Sequence, residues 1–205
     1  MPPPEADQLD AEKRALREAV RAQIASISPT EAARRSRAIC QAIAATGAFA
    51  RARTIMAYLP IEDGPLEVDP RQLGAIAIAR GKRLCYPRMD WDRKTMQPIV
   101  VPSALPRAEV RRHNVPEPTE GATVDAAEVD LVIVPGVAFD AARHRLGRGG
   151  GFYDRFLTAW RAARAKTPGI ALGIGFAEQI VGNVPRGAHD VRLDGIASDV
   201  GVWVG

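Results

Sequence analysis

Apolar positions recur along this chain with two periods, 3.6 and 2, and their alternation sets the expected architecture. Leu16, Val20, Ile24 and Ile27 fall on one helical stripe, which predicts a first helix over about Leu9 to Ile27. Ser28-Pro-Thr-Glu31 has the form of a capping box with proline at N1. It opens a second helix to about Ala45, ending near Gly47. Thr54 to Leu59 reads as a strand, followed by a loop with four carboxylates, Glu62, Asp63, Glu67 and Asp69. Asp69-Pro-Arg-Gln72 enters another helix that Gly81 ends. Arg83 to Pro87 and Gln97 to Val101 are short strands, and the proline-rich polar segment from Pro102 to Thr123 is a long surface excursion. Val129 to Pro135 is apolar enough for a strand covered on both faces. A helix over Phe152 to Ala165 and strands over Ile170 to Phe176 and Ile196 to Val204 complete the pattern.

Strands alternating with helices predict an α/β fold, a single three-layer α/β/α sandwich with a mostly parallel central sheet. It is expected to span residues 9–205 as one domain, behind a disordered tail over residues 1–8. No repeat or linker divides the chain. Ligands of such sheets collect beyond the carboxyl ends of the strands. The loops after Leu59, Pro135 and Phe176 should therefore converge on one cleft.

Composition changes this picture little. With 205 residues, 46% of them hydrophobic and 25% charged, the chain can bury a core as one ordinary globular unit. Its net charge of +4 invites a nucleic-acid reading, but 24 of its 28 basic residues are arginines scattered along the whole length, with no basic stripe and no aromatic stacking platform. Cys40 and Cys85 lack paired spacing and read as small apolar residues in a reducing compartment. Neither a signal-peptide pattern nor an apolar run of membrane-spanning length is present. The expectation is a cytoplasmic monomer with no membrane or nucleic-acid partner.

The chemistry concentrates in Arg145-Leu-Gly-Arg-Gly-Gly-Gly-Phe-Tyr-Asp154, four glycines and two arginines that lead into a helix. A glycine loop at a helix start lets backbone N–H groups approach an anion, with the positive end of the helix dipole behind them. Arg145 and Arg148 add donors suited to phosphate oxygens. Asp154 either ligates a metal or merely favours the helix start. Walker A is excluded because Phe152-Tyr153 follow the last glycine, and a dinucleotide fingerprint fails because its sixth position is Phe152. A tight turn with solvated arginines is the plain alternative. Lys13 and Arg17 sit at the edge of the first helix's apolar stripe, where they either lay their stems over the core or reach into a site, whereas Arg14 and Arg21 point away. His113, His144 and His189 share no zinc-ligand spacing, and no G-x-S-x-G elbow exists. Asp154 and Asp190 together suit Mg²⁺, which takes one or two carboxylates plus phosphate oxygens and water.

At these motifs the chain resembles the 5-formyltetrahydrofolate cyclo-ligase family. The resemblance rests on Lys13-Arg-Ala-Leu-Arg17, Tyr58-Leu-Pro with Glu67-Val-Asp69, and Val115-Pro-Glu-Pro118. It extends through Pro135-Gly-Val-Ala-Phe-Asp140, the glycine loop to Arg155, and His189-Asp190 with Leu193-Asp194. It implies a three-layer α/β sandwich that converts 5-formyltetrahydrofolate to 5,10-methenyltetrahydrofolate, with ATP split to ADP and phosphate in the presence of Mg²⁺. Residue by residue, it implies that Lys13, Arg17, Arg145, Gly147, Arg148, Gly149, Gly150, Gly151, Phe152 and Tyr153 bind ATP, with Arg148 and Tyr153 catalytic. Glu67, Tyr58, Phe139, Gly149 and Tyr153 would contact the folate, and Asp154 and Asp190 would hold Mg²⁺. Phe152 stands where many members have tyrosine. Two other readings keep the loop but change the role: a diverged ligase acting on another substrate, and a catalytically silent binder of folate or nucleotide.

Overall fold

A computed structural model describes the backbone of residues 4–204. The helices are α1 (Pro4–Ile24), α2 (Pro29–Ala44), α3 (Gly47–Arg51), α4 (Arg71–Ala79) and α5 (Phe152–Ala163). The strands are β1 (Thr54–Met56), β2 (Arg83–Asp90), β3 (Thr95–Val101), β4 (Ala108–Val110), β5 (Pro116–Pro118), β6 (Ala122–Thr123) and β7 (Leu131–Pro135). They continue with β8 (Ala138–Asp140), β9 (Arg145–Leu146), β10 (Ile170–Ile174), β11 (Ile180–Val181), β12 (Gly195–Ser198) and β13 (Gly201–Val204). Eight strands form the main sheet in the order β13-β12-β10-β7-β1-β2-β3-β6. The run from β12 to β2 is parallel, and β13, β3 and β6 pair antiparallel at the rims. The expected α/β architecture with its mostly parallel sheet is what the chain adopts.

Side chains alternate across a strand, and the layers follow from that alternation. Ile55, Leu131, Ile133, Leu172 and Ile174 pack on one face against Ile39 and Ile43 of α2, Phe49 of α3 and Leu73 of α4. Met56, Val132, Val134, Ala171 and Ile196 face the other way, onto Phe156, Leu157 and Trp160 of α5. β7 is buried on both faces because helices cover both sides of it at the centre of the sheet, between β1 and β10. Fully buried Trp160 also donates its indole N–H to Val129 O at 2.9 Å, so truncating it should cost about 3–5 kcal/mol. A third cluster packs Val20 and Ile24 of α1 on Val137, Ala138, Leu146 and Val184, which holds the first helix beside the β8–β9 hairpin. Arg35 of α2 ties the far end together, bound to Glu178 at 2.6 Å and to Asp199 at 2.7 Å with only 8% of its side chain exposed.

Several expectations need correction. The first helix starts at Pro4 rather than near Leu9, so residues 4–8 are helical; proline suits a first turn because its missing N–H would have no partner there. Met1 to Pro3 lie outside the described residues. The capping box is half made: Ser28 Oγ accepts the Glu31 N–H at 3.2 Å, but the Glu31 carboxylate turns to Arg34. The second helix does stop at Ala44, but Gly47 opens a further one-turn helix, α3, which Thr46 caps through the Phe49 N–H. The short strands around residue 90 run on into one hairpin, Leu84↔Val101 to Asp90↔Thr95, turned by Lys94 at φ 52° without a glycine. The last strand is also a hairpin, β12–β13. Phe139 is core and does not line a pocket: its ring is fully buried, in space left by Gly136, Gly173 and Gly175, where an added Cβ would come within 2.5–3.0 Å of it. No described helix is long and apolar enough to cross a membrane.

Candidate active site

Loops at the carboxyl ends of β1 and β7, the glycine loop, α1 and two hairpin tips enclose a cavity of about 880 Å³. Every site residue singled out in the sequence lines it except Phe139. The loop at Phe176 does not reach the cavity; Asp190, farther along the same connection, does. Arg14, exposed and off the apolar stripe as expected, also lines it.

One end is cationic. Gly149 and Gly151 adopt φ 106° and 67°, conformations that side chains resist, and Gly151 occupies the N-cap of α5. Arg17 Nε donates to Gly147 O at 2.9 Å, which fixes α1 against the loop. Burial and neighbouring Arg21 draw the Arg17 guanidinium below its ordinary range. Lys13 Nζ meets Asp190 Oδ2 at 2.6 Å, and the same oxygen accepts the Gly187 N–H at 2.6 Å. Arg145, nearly buried, donates to Asp154 Oδ2 at 2.8 Å and to Pro135 O at 3.2 Å, and lies over the Tyr153 ring at 5.5 Å. Asp154 Oδ1 accepts the Val191 N–H at 3.2 Å. Each acid that had been paired for a metal is therefore also half of an ion pair.

The middle of the cavity holds an unexpected pairing. Arg148 Nη2 reaches Glu67 Oε1 at 2.9 Å, and Glu67 Oε2 takes the Ile61 N–H at 3.2 Å. Burial pushes the Glu67 carboxyl above its ordinary range even though Arg148 pulls the other way. Tyr153 presents a buried hydroxyl with no hydrogen-bond partner, and burial raises its phenol well above normal. Tyr58 forms wall rather than reactive surface, because its hydroxyl donates to Val68 O at 2.5 Å.

One wall is aromatic, and sequence reasoning missed it. Trp91, at the β2–β3 tip, meets Phe152 edge-on at 5.1 Å and 70°, and His113 at 5.3 Å and 49°. The excursion from Pro102 to Thr123 folds into the β4–β5 hairpin, whose tip has His113 and Asn114 at φ 56° and 58° and a Val115 N–H to Arg112 O bond. Positive φ at both central residues is the type I′ pattern that suits a tight hairpin, and it brings His113 to the cavity. A tryptophan among Asp90, Asp92, Arg93 and Lys94 was the available signal, since no core position lies in so charged a turn.

The description "5-formyltetrahydrofolate cyclo-ligase family" belongs to a family model that matches residues 9–199. The chain belongs to this family. It is 27% identical to the 5-formyltetrahydrofolate cyclo-ligase of Mus musculus, over 91% of this chain and 93% of the relative. It is likewise 27% identical to the mitochondrial enzyme of that name from Arabidopsis thaliana, over 97% and 78%. The solution structure of Aquifex aeolicus 5,10-methenyltetrahydrofolate synthetase superposes with a TM-score of 0.77 at 28% identity, covering 94% of this chain and 92% of that one. The Mycoplasma pneumoniae protein of that name has the same fold, with a TM-score of 0.71 at 24% identity over 92% and 99%.

Proposed function

We propose that this chain converts 5-formyltetrahydrofolate to 5,10-methenyltetrahydrofolate while splitting ATP to ADP and phosphate. The observation that carries the reading is a single cavity in which a glycine-loop cradle with Lys13, Arg17 and Arg145 adjoins a buried carboxylate and an aromatic wall. The reaction needs this adjacency. A formamide oxygen is a poor leaving group, so N10 cannot close the ring until that oxygen is activated. Transfer of the γ-phosphoryl to it breaks the terminal P–O bond of ATP and gives an imidate-like phosphate, and attack by N10 then expels inorganic phosphate. Such transfer depends on alignment and charge neutralisation more than on covalent help.

In this reading the glycine-loop N–H groups, Lys13, Arg17 and Arg145 hold the phosphates. Arg148 exchanges Glu67 for phosphate oxygens and neutralises the charge that moves during transfer. Glu67, released, accepts from N–H donors of the pterin. The Tyr153 hydroxyl, unpartnered in the free protein, finds its hydrogen bond on the reacting groups. Asp154 and Asp190 would hold Mg²⁺, which supplies charge neutralisation on the triphosphate. The donor set fits a metal that arrives with phosphate and water: among the described residues no group of three or more metal-ligating side chains forms a protein cage, and Asp190 Oδ1 receives no hydrogen bond.

The test is absorbance at the methenyltetrahydrofolate band after mixing protein, 5-formyltetrahydrofolate and Mg·ATP, against an ATP-free control. An ATP-dependent rise is expected. A flat trace from folded protein that binds ATP would refute the reading and leave the two alternatives, a ligase acting on another substrate and a catalytically silent binder.

A further inference from the structure

Glu117 carries no charge-pairing role and does not touch the cavity. It lies in β5 at 1% exposure, a buried carboxylate that no salt bridge reaches among the described residues. Its two oxygens are spent on the β2–β3 hairpin: Oε1 accepts the Trp91 indole N–H at 2.9 Å and Oε2 the Met89 backbone N–H at 3.0 Å. A buried carboxylate is unfavourable unless its hydrogen bonds are well made, so these two donors fix the geometry of whatever carries them. What they carry is the aromatic wall. Trp91 abuts both Phe152 and His113, and His113 sits on the tip of the hairpin that contains Glu117. The neighbouring Pro118 O takes two hydrogen bonds from Arg88, at 2.9 and 3.3 Å, so the β4–β5 hairpin is pinned to β2 directly beneath the wall.

We propose that Glu117 is a positioning residue for substrate binding: from outside the cavity it holds the Trp91 indole against Phe152 and His113, and this sets the surface on which the flat aromatic part of the folate packs. The proposal rests on the substrate reading above. It also explains why the excursion is built as a hairpin, since one element then supplies both the contact, His113, and the lock, Glu117. Phosphate binding is a separate matter, because Lys13, Arg17 and Arg145 are held by Asp190, Gly147 and Asp154, in bonds that involve neither Trp91 nor Glu117.

The test compares wild type, Glu117→Gln, Trp91→Phe and the double variant, each checked by thermal melting. Glutamine keeps the shape but turns an N–H₂ toward one of the two donors, and losing either bond loosens the β2–β3 tip that carries Trp91. Phenylalanine keeps a ring and loses the N–H. In the absence of ligand, subtracting Trp91→Phe from wild type, and the double variant from Glu117→Gln, isolates the Trp91 fluorescence. Release of the indole is expected to shift that emission and raise its quenching by acrylamide. The folate KM should rise between about twofold and tenfold, the range one aromatic contact supplies. The rise should be the same in both single variants and the double, while the ATP KM and kcat stay within about twofold. An unmoved Trp91 signal overturns the proposal. So does an additive double variant, or a loss shared equally by ATP and folate, which is what a merely structural glutamate would give. Wild-type protein that binds no folate overturns the substrate reading instead, and the ligand-free fluorescence still decides whether Glu117 positions Trp91.

Discussion

The Glu67–Arg148 pair should respond unequally to loss of its two members. Glu67 keeps only 11% of its side chain exposed, whereas Arg148 keeps 36%. Removing the arginine strands a carboxylate in a poorly hydrated place, where the penalty is about 1–3 kcal/mol. Removing the carboxylate frees a guanidinium that water reaches easily; the pair's own attraction at such exposure is worth about 0–1 kcal/mol. Glu67 is moreover raised by burial despite its partner, so its charge is a net burden on the folded state. The sign follows from proton linkage: a raised carboxyl binds more protons folded than unfolded, so its penalty is full above the folded pKa and fades as pH falls toward the ordinary carboxylate range. Arg148→Ala removes the lowering influence and enlarges that penalty. At about 2–4 °C per kcal/mol for a chain of this size, Arg148→Ala should lose roughly 2–12 °C in Tm at pH 8, and Glu67→Gln should stay within about 2–4 °C of wild type. Scanning calorimetry of both variants between pH 5 and pH 8 is the assay. The Arg148→Ala deficit should shrink toward pH 5. Equal losses in the two variants, or a deficit that ignores pH, would refute the reasoning.

The same physical argument reaches other positions. Tyr153→Phe removes a buried hydroxyl that has no partner, so Tm should hold or rise slightly while cyclo-ligase turnover falls; a clear drop in Tm would show a hydrogen bond in the free protein. Gly149→Ala tests backbone alone, since an added Cβ would meet nothing nearer than Arg17 Nη2 at 3.8 Å yet φ 106° strains it; nucleotide affinity should fall at least about tenfold in titration calorimetry, and the strain of about 1–3 kcal/mol should lower Tm by roughly 2–12 °C. Although burial opposes it, hydrogen bonds from Arg35 and the Ala177 N–H hold the Asp199 carboxyl below its usual range, so the stability it contributes is present above that range and lost as pH falls through the folded pKa. Arg35→Ala should cost about 3–5 kcal/mol at pH 7 and markedly less near pH 3, measured by urea unfolding.

The regular layers were legible because each reports its own neighbours. β7 announced a central strand by being apolar at every position, and Ser28 announced α2 through a cap it does make. The cations of α1 were legible for the same reason, since a helical wheel sets Lys13 and Arg17 beside the buried stripe whatever they later touch. What stayed hidden leaves no such mark in its own stretch of sequence. The β2–β3 turn uses Lys94 at positive φ where a glycine would have marked it. Phe139 lies in a three-residue strand, too short for a period, and its inward aim is set by three glycines from two other segments. The pairing of Arg148 with Glu67, two residues assigned to different ligands, has no local trace at all.

The contact between Lys13 and Asp190 joins residues 177 positions apart, and this has a consequence for how the protein is made. Synthesis releases α1 well before Val137, Leu146 and Val184, which cover its apolar stripe and lie more than 100 residues downstream of it. Throughout that interval the helix has sticky surface and nothing to set it on. The parallel centre of the sheet has the same dependence, since β1 waits for β7. The nascent chain is thus committed to a long exposed phase, and Lys13 of α1 finds its acidic partner only once Asp190 has emerged.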